Sequence, residues 1–209
     1  MTMIYLVRHG ETDWNRERRI QGSTDIPLNN TGRGQAAATG ALLSRREWDG
    51  VYASPLSRAF ETAEIIATRL GLPSPHIVPE IAERNYGDAE GLTGDEIDAL
   101  FAGADIPGRE TRDEVGARAL PAIIALAEKH PGESIVLVSH GGVIRTILNA
   151  VAPDAHAEPI RNGSVHSFRH TDGTLDLIAF DDPIEVESLD VATDDLEEQN
   201  AIESRDSLV

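Results

Sequence analysis

The sequence predicts an α/β fold, a three-layer α/β/α sandwich with a mainly parallel central sheet and an antiparallel edge strand. Short apolar runs alternate with longer segments of helical periodicity, which is the pattern of parallel strands covered by helices on both faces. Near the end, turn residues at 171–173 separate two strand-like runs, which predicts a terminal hairpin. The 209 residues, 40% of them hydrophobic, suffice for one substantial domain. We expect that domain over residues 1–182 and an acidic, disordered tail over residues 183–209.

Six short segments have the composition of β-strands. The first is almost entirely apolar, as expected for a central strand that is buried on both faces. The third is weak, and the fourth is the clearest in the chain. In chain order, the predicted strands cover residues 4–8, 51–53, 76–79, 134–139, 165–169 and 174–180.

Helical segments are predicted between these strands and are marked by capping residues. Ser54 is the expected N-cap of one helix, with Pro55 in its first position. Thr93 and Glu96 have the spacing of a capping box, and Pro121 is expected to bend a longer helix. The predicted helices cover about residues 34–46, 55–70, a segment that starts at 93, 113–129 and 143–151.

The net charge of −18 is unevenly distributed. Residues 181–209 hold eleven acidic residues and one arginine, so this segment carries −10 and the remaining body carries −8. The charge argues against nucleic acid and anionic membranes as partners. It also means that an anionic substrate needs a locally positive pocket. No apolar stretch is long enough to cross a bilayer and the first residues resemble a buried strand rather than a signal peptide, so a cytoplasmic protein is the expectation.

The sequence predicts neither a metal site nor a cofactor. Cysteine is absent, which excludes thiolate ligands and thiol nucleophiles. Five of the seven histidines are scattered through loops and edge strands without metal-ligand spacing, and we interpret them as structural or surface residues: His76, His130, His156, His166 and His170.

The other two histidines each follow a predicted strand directly. His9 is followed by Gly10, and His140 is followed by Gly141 and Gly142. Because ligands bind beyond the carboxyl ends of strands in open α/β sheets, we expect the two imidazoles to lie close together. The glycines allow close approach of the backbone to a ligand.

Two arginines occupy similar positions. Arg8 immediately precedes His9, and Arg58 lies in the first turn of a predicted helix, just past a strand. The planar guanidinium group matches phosphate oxygens in a bidentate way and keeps its charge. Two arginines and two histidines at strand ends therefore predict a pocket for a tetrahedral dianion.

The segment Arg8-His9-Gly10-Glu11-Thr12, with Trp14-Asn15 behind it, resembles the signature of the histidine phosphatase (phosphoglycerate mutase-like) superfamily. The resemblance runs in order over roughly residues 3–180, which makes it specific, whereas the RHG tripeptide alone would be weak. The further matching segments are residues 19–22, 25–28, 31–36, 54–59, 61–63, 83–88, 90–92 and 138–145.

The resemblance implies phosphoryl transfer through a phosphorylated histidine. His9 would be the nucleophile, neutral and with its other ring nitrogen held by a hydrogen bond to a backbone carbonyl. Arg8, Arg58 and His140 would bind the equatorial phosphoryl oxygens. Uncharged donors would come from Asn15 and from the backbone N–H of Gly141.

The resemblance also implies a general acid and a set of residues at the entrance of the pocket. Glu83 would protonate the departing oxygen and then activate the attacking water, which requires its pKa to be raised by burial. Gln21 and Gly22 would line the entrance and contact the leaving group. Tyr86 would do the same, although a core role for this aromatic residue fits nearly as well.

The expected activity is hydrolysis of a small phosphomonoester by a monomer or homodimer. A cofactor-dependent phosphoglycerate mutase is the first alternative, but the stretch after Leu92 is short, begins acidic and contains no lysine, whereas a mutase is expected to have a longer basic insertion. Within this stretch Arg109 and Arg112 are candidates for binding a second anionic group. The second alternative is a catalytically silent phospholigand-binding module, which would be expected to lose the nucleophile or the acid.

Overall fold

A computed structural model describes residues 1–153 and 155–182, so the predicted tail lies outside the described residues. The described part folds into six strands and six α-helices around one sheet, with two short 3-10 turns at Pro79–Ile81 and Gly87–Ala89. The strands are β1 (Thr2–Arg8), β2 (Gly50–Ala53), β3 (His76–Ile77), β4 (Ser134–Ser139), β5 (Val165–Thr171) and β6 (Thr174–Ala179). The helices are α1 (Asp13–Arg16), α2 (Asn30–Leu43), α3 (Ser57–Leu70), α4 (Gly94–Phe101), α5 (Arg112–Lys129) and α6 (Gly141–Val151).

The sheet has the order β3-β2-β4-β1-β5-β6. Strands β1 to β4 are parallel, while β5 runs antiparallel to β1 and β6 antiparallel to β5. The predicted mainly parallel sheet and its terminal hairpin are confirmed, and the antiparallel pairing is confined to one edge. The tight turn explains this, because it joins β5 to β6 and so adds both strands to the same side of β1.

Both faces of the sheet are covered, as the alternation along β1 requires. Ile4 and Leu6 pack into an apolar cluster with α5 and α6, whereas Tyr5 and Val7 pack into a second cluster with α2 and α3. Every one of these four side chains is buried. The predicted three-layer architecture is therefore confirmed.

The start of α3 differs from the prediction, and Ser54 is not its N-cap. The helix begins at Ser57, two residues after Pro55, and its N-cap residue Leu56 makes no side-chain capping bond. The carboxylate of Asp25 replaces the missing cap, since its Oδ1 accepts the backbone N–H and the hydroxyl of Ser57, both at 2.8 Å. The prediction failed because the capping group comes from a distant loop.

Other helix boundaries also moved. Asn29 caps α2 by accepting from the N–H of Gly32, so this helix begins four residues before the predicted start. The Thr93–Glu96 capping box is confirmed, and α5 continues through Pro121 behind a second box formed by Thr111 and Glu114. No helix in the described ranges is long and apolar enough to cross a membrane.

Candidate active site

The predicted pocket lies at the carboxyl ends of three adjacent parallel strands. Arg8 ends β1 and His9 follows it, His140 follows β4, and Arg58 lies in the first turn of α3, just after β2. Because the strands lie in the order β2-β4-β1, the fold brings these four basic residues together. The His9 and His140 ring centroids are 5.1 Å apart.

The His9 ring is held in one tautomer. Its Nδ1 lies 2.6 Å from the carbonyl oxygen of Gly10, and since a carbonyl can only accept, Nδ1 must donate. Burial lowers the pKa of His9 well below its ordinary value, and the positive charges of Arg58 and Arg8 lower it further against the opposing Gly10 bond. The ring is therefore neutral near neutral pH, and its Nε2 carries a free lone pair.

His140 is also buried and neutral. Burial, then the positive charges of Arg58 and Arg8, lower its pKa well below the ordinary value. Its Nε2 lies 2.7 Å from the hydroxyl oxygen of Ser54. Among the described residues, its buried Nδ1 has no hydrogen-bond partner. A buried polar atom without a partner is costly, so this nitrogen is suited to meeting a ligand.

The two arginines are anchored through backbone carbonyls. Arg58 is 0% exposed and donates through its two terminal nitrogens to the carbonyls of Thr24 at 2.9 Å and Gly22 at 2.7 Å. Arg8 is buried and donates to the carbonyl of Ile160. A carbonyl acceptor orients a guanidinium group without adding a negative charge of its own.

Glu83 lines the same pocket. One carboxylate oxygen accepts the N–H of Arg84 at 2.8 Å, and the other accepts the N–H of Gly142 at 3.2 Å. A Cβ on Gly142 would lie 2.6 Å from the Glu83 carboxylate, so only glycine allows this approach. The carboxylate is thus held at the first turn of α6, at a residue two positions after His140.

Four of the five predicted substrate-binding residues line the pocket, namely Asn15, Gln21, Gly22 and Tyr86. The fifth, Gly141, begins α6 directly after His140 and does not belong to the lining set of the described chain. Sequence reasoning missed several further members of the pocket wall. They are Arg18, Arg19 and Ile20.

Two hydroxyl-bearing residues were also missed as site residues. Ser54 was predicted only as a helix cap, but it contacts His140. The hydroxyl of Thr62 accepts the N–H of Gly10 at 3.0 Å and donates to the carbonyl of Arg58 at 2.7 Å, so it links the His9 loop to α3. The position of Ser54 just after β2 was the one available signal.

A larger cavity of about 620 Å³ adjoins the catalytic pocket and shares Ile20 and Tyr86 with it. Its wall contains the two arginines that the sequence suggested for a second anionic group, Arg109 and Arg112, but also acidic residues. The apolar part of the wall comes largely from α4 and the following loop. The acidic and apolar lining residues are Asp98, Asp105, Asp113, Ile97, Phe101 and Ile106.

Within residues 1–153 and 155–182, no group of three or more histidine, aspartate or glutamate side chains is arranged to hold a metal ion. The pocket charge comes instead from guanidinium groups. A neutral imidazole with a free lone pair, facing a cationic pocket at the strand ends of an α/β sandwich, defines a protein equipped for phosphoryl transfer.

The chain belongs to the histidine phosphatase superfamily. The family model described as "Histidine phosphatase superfamily (branch 1)" matches residues 4–183, which includes every element of the fold and site described above apart from the first residues of β1.

Individual relatives agree with this assignment. The chain is 42% identical over 184 residues to phosphoglycerate mutase-like protein 4 of Arabidopsis thaliana, covering 81% of this chain and 80% of that protein. It is 37% identical over 179 residues to a metal-independent phosphoserine phosphatase of the same plant, covering 79% and 75%. Among solved structures, the vanadate-containing complex of mycobacterial glucosyl-3-phosphoglycerate phosphatase superposes with a TM-score of 0.77 at 29% identity, covering 85% of this chain and 98% of that chain.

Proposed function

We propose that this member of the histidine phosphatase superfamily is a metal-independent phosphatase that hydrolyses a small phosphomonoester through a phosphohistidine on His9. The observation that carries the proposal is the bond between His9 Nδ1 and the Gly10 carbonyl in a pocket that lowers the histidine pKa. Together these leave an unprotonated Nε2 lone pair beside Arg8 and Arg58, where a phosphate dianion binds.

In the first step, His9 Nε2 attacks phosphorus and the bond from phosphorus to the ester oxygen breaks. The bonding electron pair leaves with that oxygen, which takes a proton from the protonated carboxyl of Glu83. Arg8, Arg58 and His140 stabilise the charge on the equatorial oxygens. The ring of His9 becomes positive as it bonds to phosphorus, and the Gly10 carbonyl stabilises that charge.

In the second step, water attacks phosphorus on the side opposite His9. The Glu83 carboxylate takes a proton from this water, the bond between His9 Nε2 and phosphorus breaks, and its electron pair returns to the ring. Inorganic phosphate leaves, and both residues regain their starting protonation states. The Gly142 N–H holds Glu83 beside His140, which supports its use in both steps.

The tautomer of His140 matters because a neutral imidazole has only one N–H. We assign the Ser54 hydroxyl as the donor to His140 Nε2 at 2.7 Å, because its oxygen accepts from the backbone N–H of Leu56 at 3.3 Å and its proton has no other acceptor among the described residues. The proton of the ring then lies on the buried Nδ1 that has no partner within the described chain. In this arrangement His140 donates to a phosphoryl oxygen although it is uncharged.

The adjoining cavity is the proposed place of the leaving group, because Tyr86 and Ile20 line both spaces. Its wall supports a leaving group larger than a simple alcohol, with an apolar part against α4 and a polar or anionic part near Arg109. The phosphatase relatives named above act on esters with a carboxylate-bearing leaving group, which fits this placement.

The proposal is tested by steady-state hydrolysis of p-nitrophenyl phosphate with a chelator present. His9→Ala is expected to lose about a thousandfold or more in kcat, while the matched variant His76→Ala, which alters an exposed histidine of β3, keeps its activity. Rapid acid-free denaturation during turnover of a radiolabelled ester should trap a base-stable, acid-labile phosphoenzyme.

Undiminished turnover by His9→Ala would overturn the mechanism. Interconversion of 2- and 3-phosphoglycerate that is stimulated by 2,3-bisphosphoglycerate, and that exceeds phosphate release, would identify a mutase instead. Phosphate binding without turnover of any ester would identify a silent module.

A further inference from the structure

Arg58 depends on a loop for its orientation. Its guanidinium group contributes two donors to the carbonyls of Gly22 and Thr24, so the direction of those carbonyls decides where its remaining N–H groups point. Gly22 has φ of 55°, and Ser23 is exposed. A short polar loop of this kind has little packing of its own to hold it in place.

The carboxylate of Glu90 holds this loop in place through hydrogen bonds. One carboxylate oxygen accepts the N–H of Ser23 at 2.8 Å, its hydroxyl at 2.9 Å and the N–H of Tyr86 at 3.1 Å. The other oxygen accepts the N–H of Thr24 at 2.8 Å and the Thr24 hydroxyl. Burial raises the pKa of Glu90, but hydrogen bonds from Thr24, Ser23 and Tyr86 outweigh it and bring the pKa below the ordinary value. The carboxylate is therefore ionised at neutral pH.

Glu90 and Arg58 act on opposite ends of one peptide group. The Ser23 N–H that Glu90 binds and the Gly22 carbonyl that Arg58 binds belong to the same planar trans unit, so fixing one end fixes the other. The anionic acceptor also polarises the peptide and strengthens its carbonyl as an acceptor for the guanidinium group. A Cβ on Gly22 would lie 2.1 Å from the Glu90 carboxylate, so this contact requires glycine.

We infer that Glu90 is a positioning residue for phosphate binding, which acts through the Gly22–Ser23 peptide to orient Arg58. Through the N–H of Tyr86 it also ties the phosphate-binding side of the pocket to the loop that carries Glu83. Glu90 is outside the set of described residues that line the catalytic pocket. It therefore acts on the bound phosphate indirectly, through Arg58. The inference rests on the proposed function, because it assigns Arg58 to phosphate.

The test is a double-mutant cycle on binding of inorganic phosphate, measured by titration calorimetry without turnover. Glu90→Gln leaves one carboxamide oxygen for five donors, and we expect phosphate binding to weaken about tenfold in the native background. In the Arg58→Ala background the same change should weaken binding less than twofold. A residue that only stabilised the fold would have the same effect in both backgrounds.

Glu114→Gln is the matched control, since Glu114 also accepts the N–H and the hydroxyl of one threonine, at 2.8 and 2.9 Å, in the α5 capping box. It should leave phosphate affinity unchanged. If Glu90→Gln does not fold, Glu90→Asp keeps the charge but shortens the reach, and should weaken phosphate binding to an intermediate degree.

Native phosphate affinity in a folded Glu90 variant, or an equal loss with and without Arg58, overturns the inference while the function stands. If the native protein turns over esters, its function is secure whatever the cycle shows. Absence of phosphate binding by the native protein would overturn the inference, and absence of ester turnover as well would overturn both.

Discussion

At the scale of single residues, hydrogen-bond partners decide what each histidine can do. His9 and His140 are both buried near Arg8 and Arg58, and burial lowers the pKa of each. They differ in the group that holds them, because a carbonyl contacts Nδ1 of His9 and a hydroxyl contacts Nε2 of His140. The first leaves a lone pair on Nε2 of His9. In the proposed arrangement the second leaves an N–H on Nδ1 of His140, and these are the complementary properties of a nucleophile and a donor.

The proposed role of Glu83 predicts a dependence on the leaving group. Glu83→Gln should lower kcat/KM, which reports the steps up to departure of the leaving group, by about a hundredfold or more for an alkyl phosphate, whose departing oxygen needs a proton. The loss should be much smaller for p-nitrophenyl phosphate, whose leaving group departs as a stable phenolate. Steady-state kinetics with both esters provide the measurement. Equal losses for the two esters would show that Glu83 does not act as the general acid.

The contact between Ser54 and His140 predicts an effect on the imidazole tautomer. Ser54→Ala removes the hydroxyl that donates to Nε2, so the ring proton should move to Nε2 and kcat/KM should fall at least about tenfold. Ser54→Thr keeps the hydroxyl and should retain most of the activity. Nitrogen-15 NMR of the His140 ring measures the tautomer directly. A ring proton that stays on Nδ1 in the alanine variant would contradict this account.

At the scale of elements, helix starts and loops cooperate in ways that local sequence does not express. The helix α3 carries Arg58, yet its first turn is capped by Asp25 from the loop before α2. The same loop provides the carbonyls of Gly22 and Thr24 to Arg58. One loop therefore caps the helix and orients the arginine that this helix carries.

This arrangement predicts a linked loss of stability and function. Asp25→Ala should lower the free energy of unfolding by about 1 kcal/mol, as for other N-caps, and should also reduce kcat/KM because the first turn of α3 loosens. Asp49→Ala is the matched control, since its carboxylate accepts the N–H of Ser134 at 2.8 Å at the opposite end of the sheet. Denaturant unfolding and kinetics of both variants are the measurements. A control variant that lost as much activity as Asp25→Ala would contradict the linkage.

At the scale of the whole molecule, three buried histidines make stability depend on pH. His9 and His140 have pKa values well below the ordinary one, and burial, with smaller effects of Arg145 and His156, lowers the pKa of His166 to about 3. In the unfolded chain these histidines bind protons near pH 6.5, whereas in the folded chain they remain neutral at that pH. Their contribution to stability is therefore complete above pH 6.5 and is lost progressively as pH falls toward 3.

We therefore predict that the free energy of unfolding falls steeply as the pH is lowered below 6.5. Each of these histidines should add about 1.4 kcal/mol per pH unit to the slope of the unfolding free energy between its unfolded and folded pKa values. Replacing His166 by glutamine should make the slope between pH 6 and 4 shallower by about that amount, and His166 is not among the described residues that line the pocket of His9. Urea unfolding at several pH values tests it. An unchanged slope would show that the pKa of His166 is the same in the folded and unfolded chains.

Much of the fold and of the pocket could be predicted from local patterns. The alternation of strands and helices and the glycines after His9 and His140 depend on neighbours in the chain, so periodicity and turn chemistry express them. Resemblance to the family added Glu83 and the entrance residues, since nothing local distinguishes Glu83 from a loop glutamate. Ser54 was assigned to the wrong task, because its partner His140 comes from another strand.

The sequence by itself determined the three-layer architecture and the meeting of His9, His140, Arg8 and Arg58, because all four lie at or just beyond the carboxyl ends of strands that share one edge of the sheet. Only the tertiary structure decided which nitrogen of each imidazole is held by a protein group and how the Arg58 guanidinium group is oriented. Those properties depend on hydrogen bonds between loops far apart in the chain, such as the bonds of Glu90 to Ser23. Such bonds leave no periodic pattern, because they form only after the helices and strands have packed.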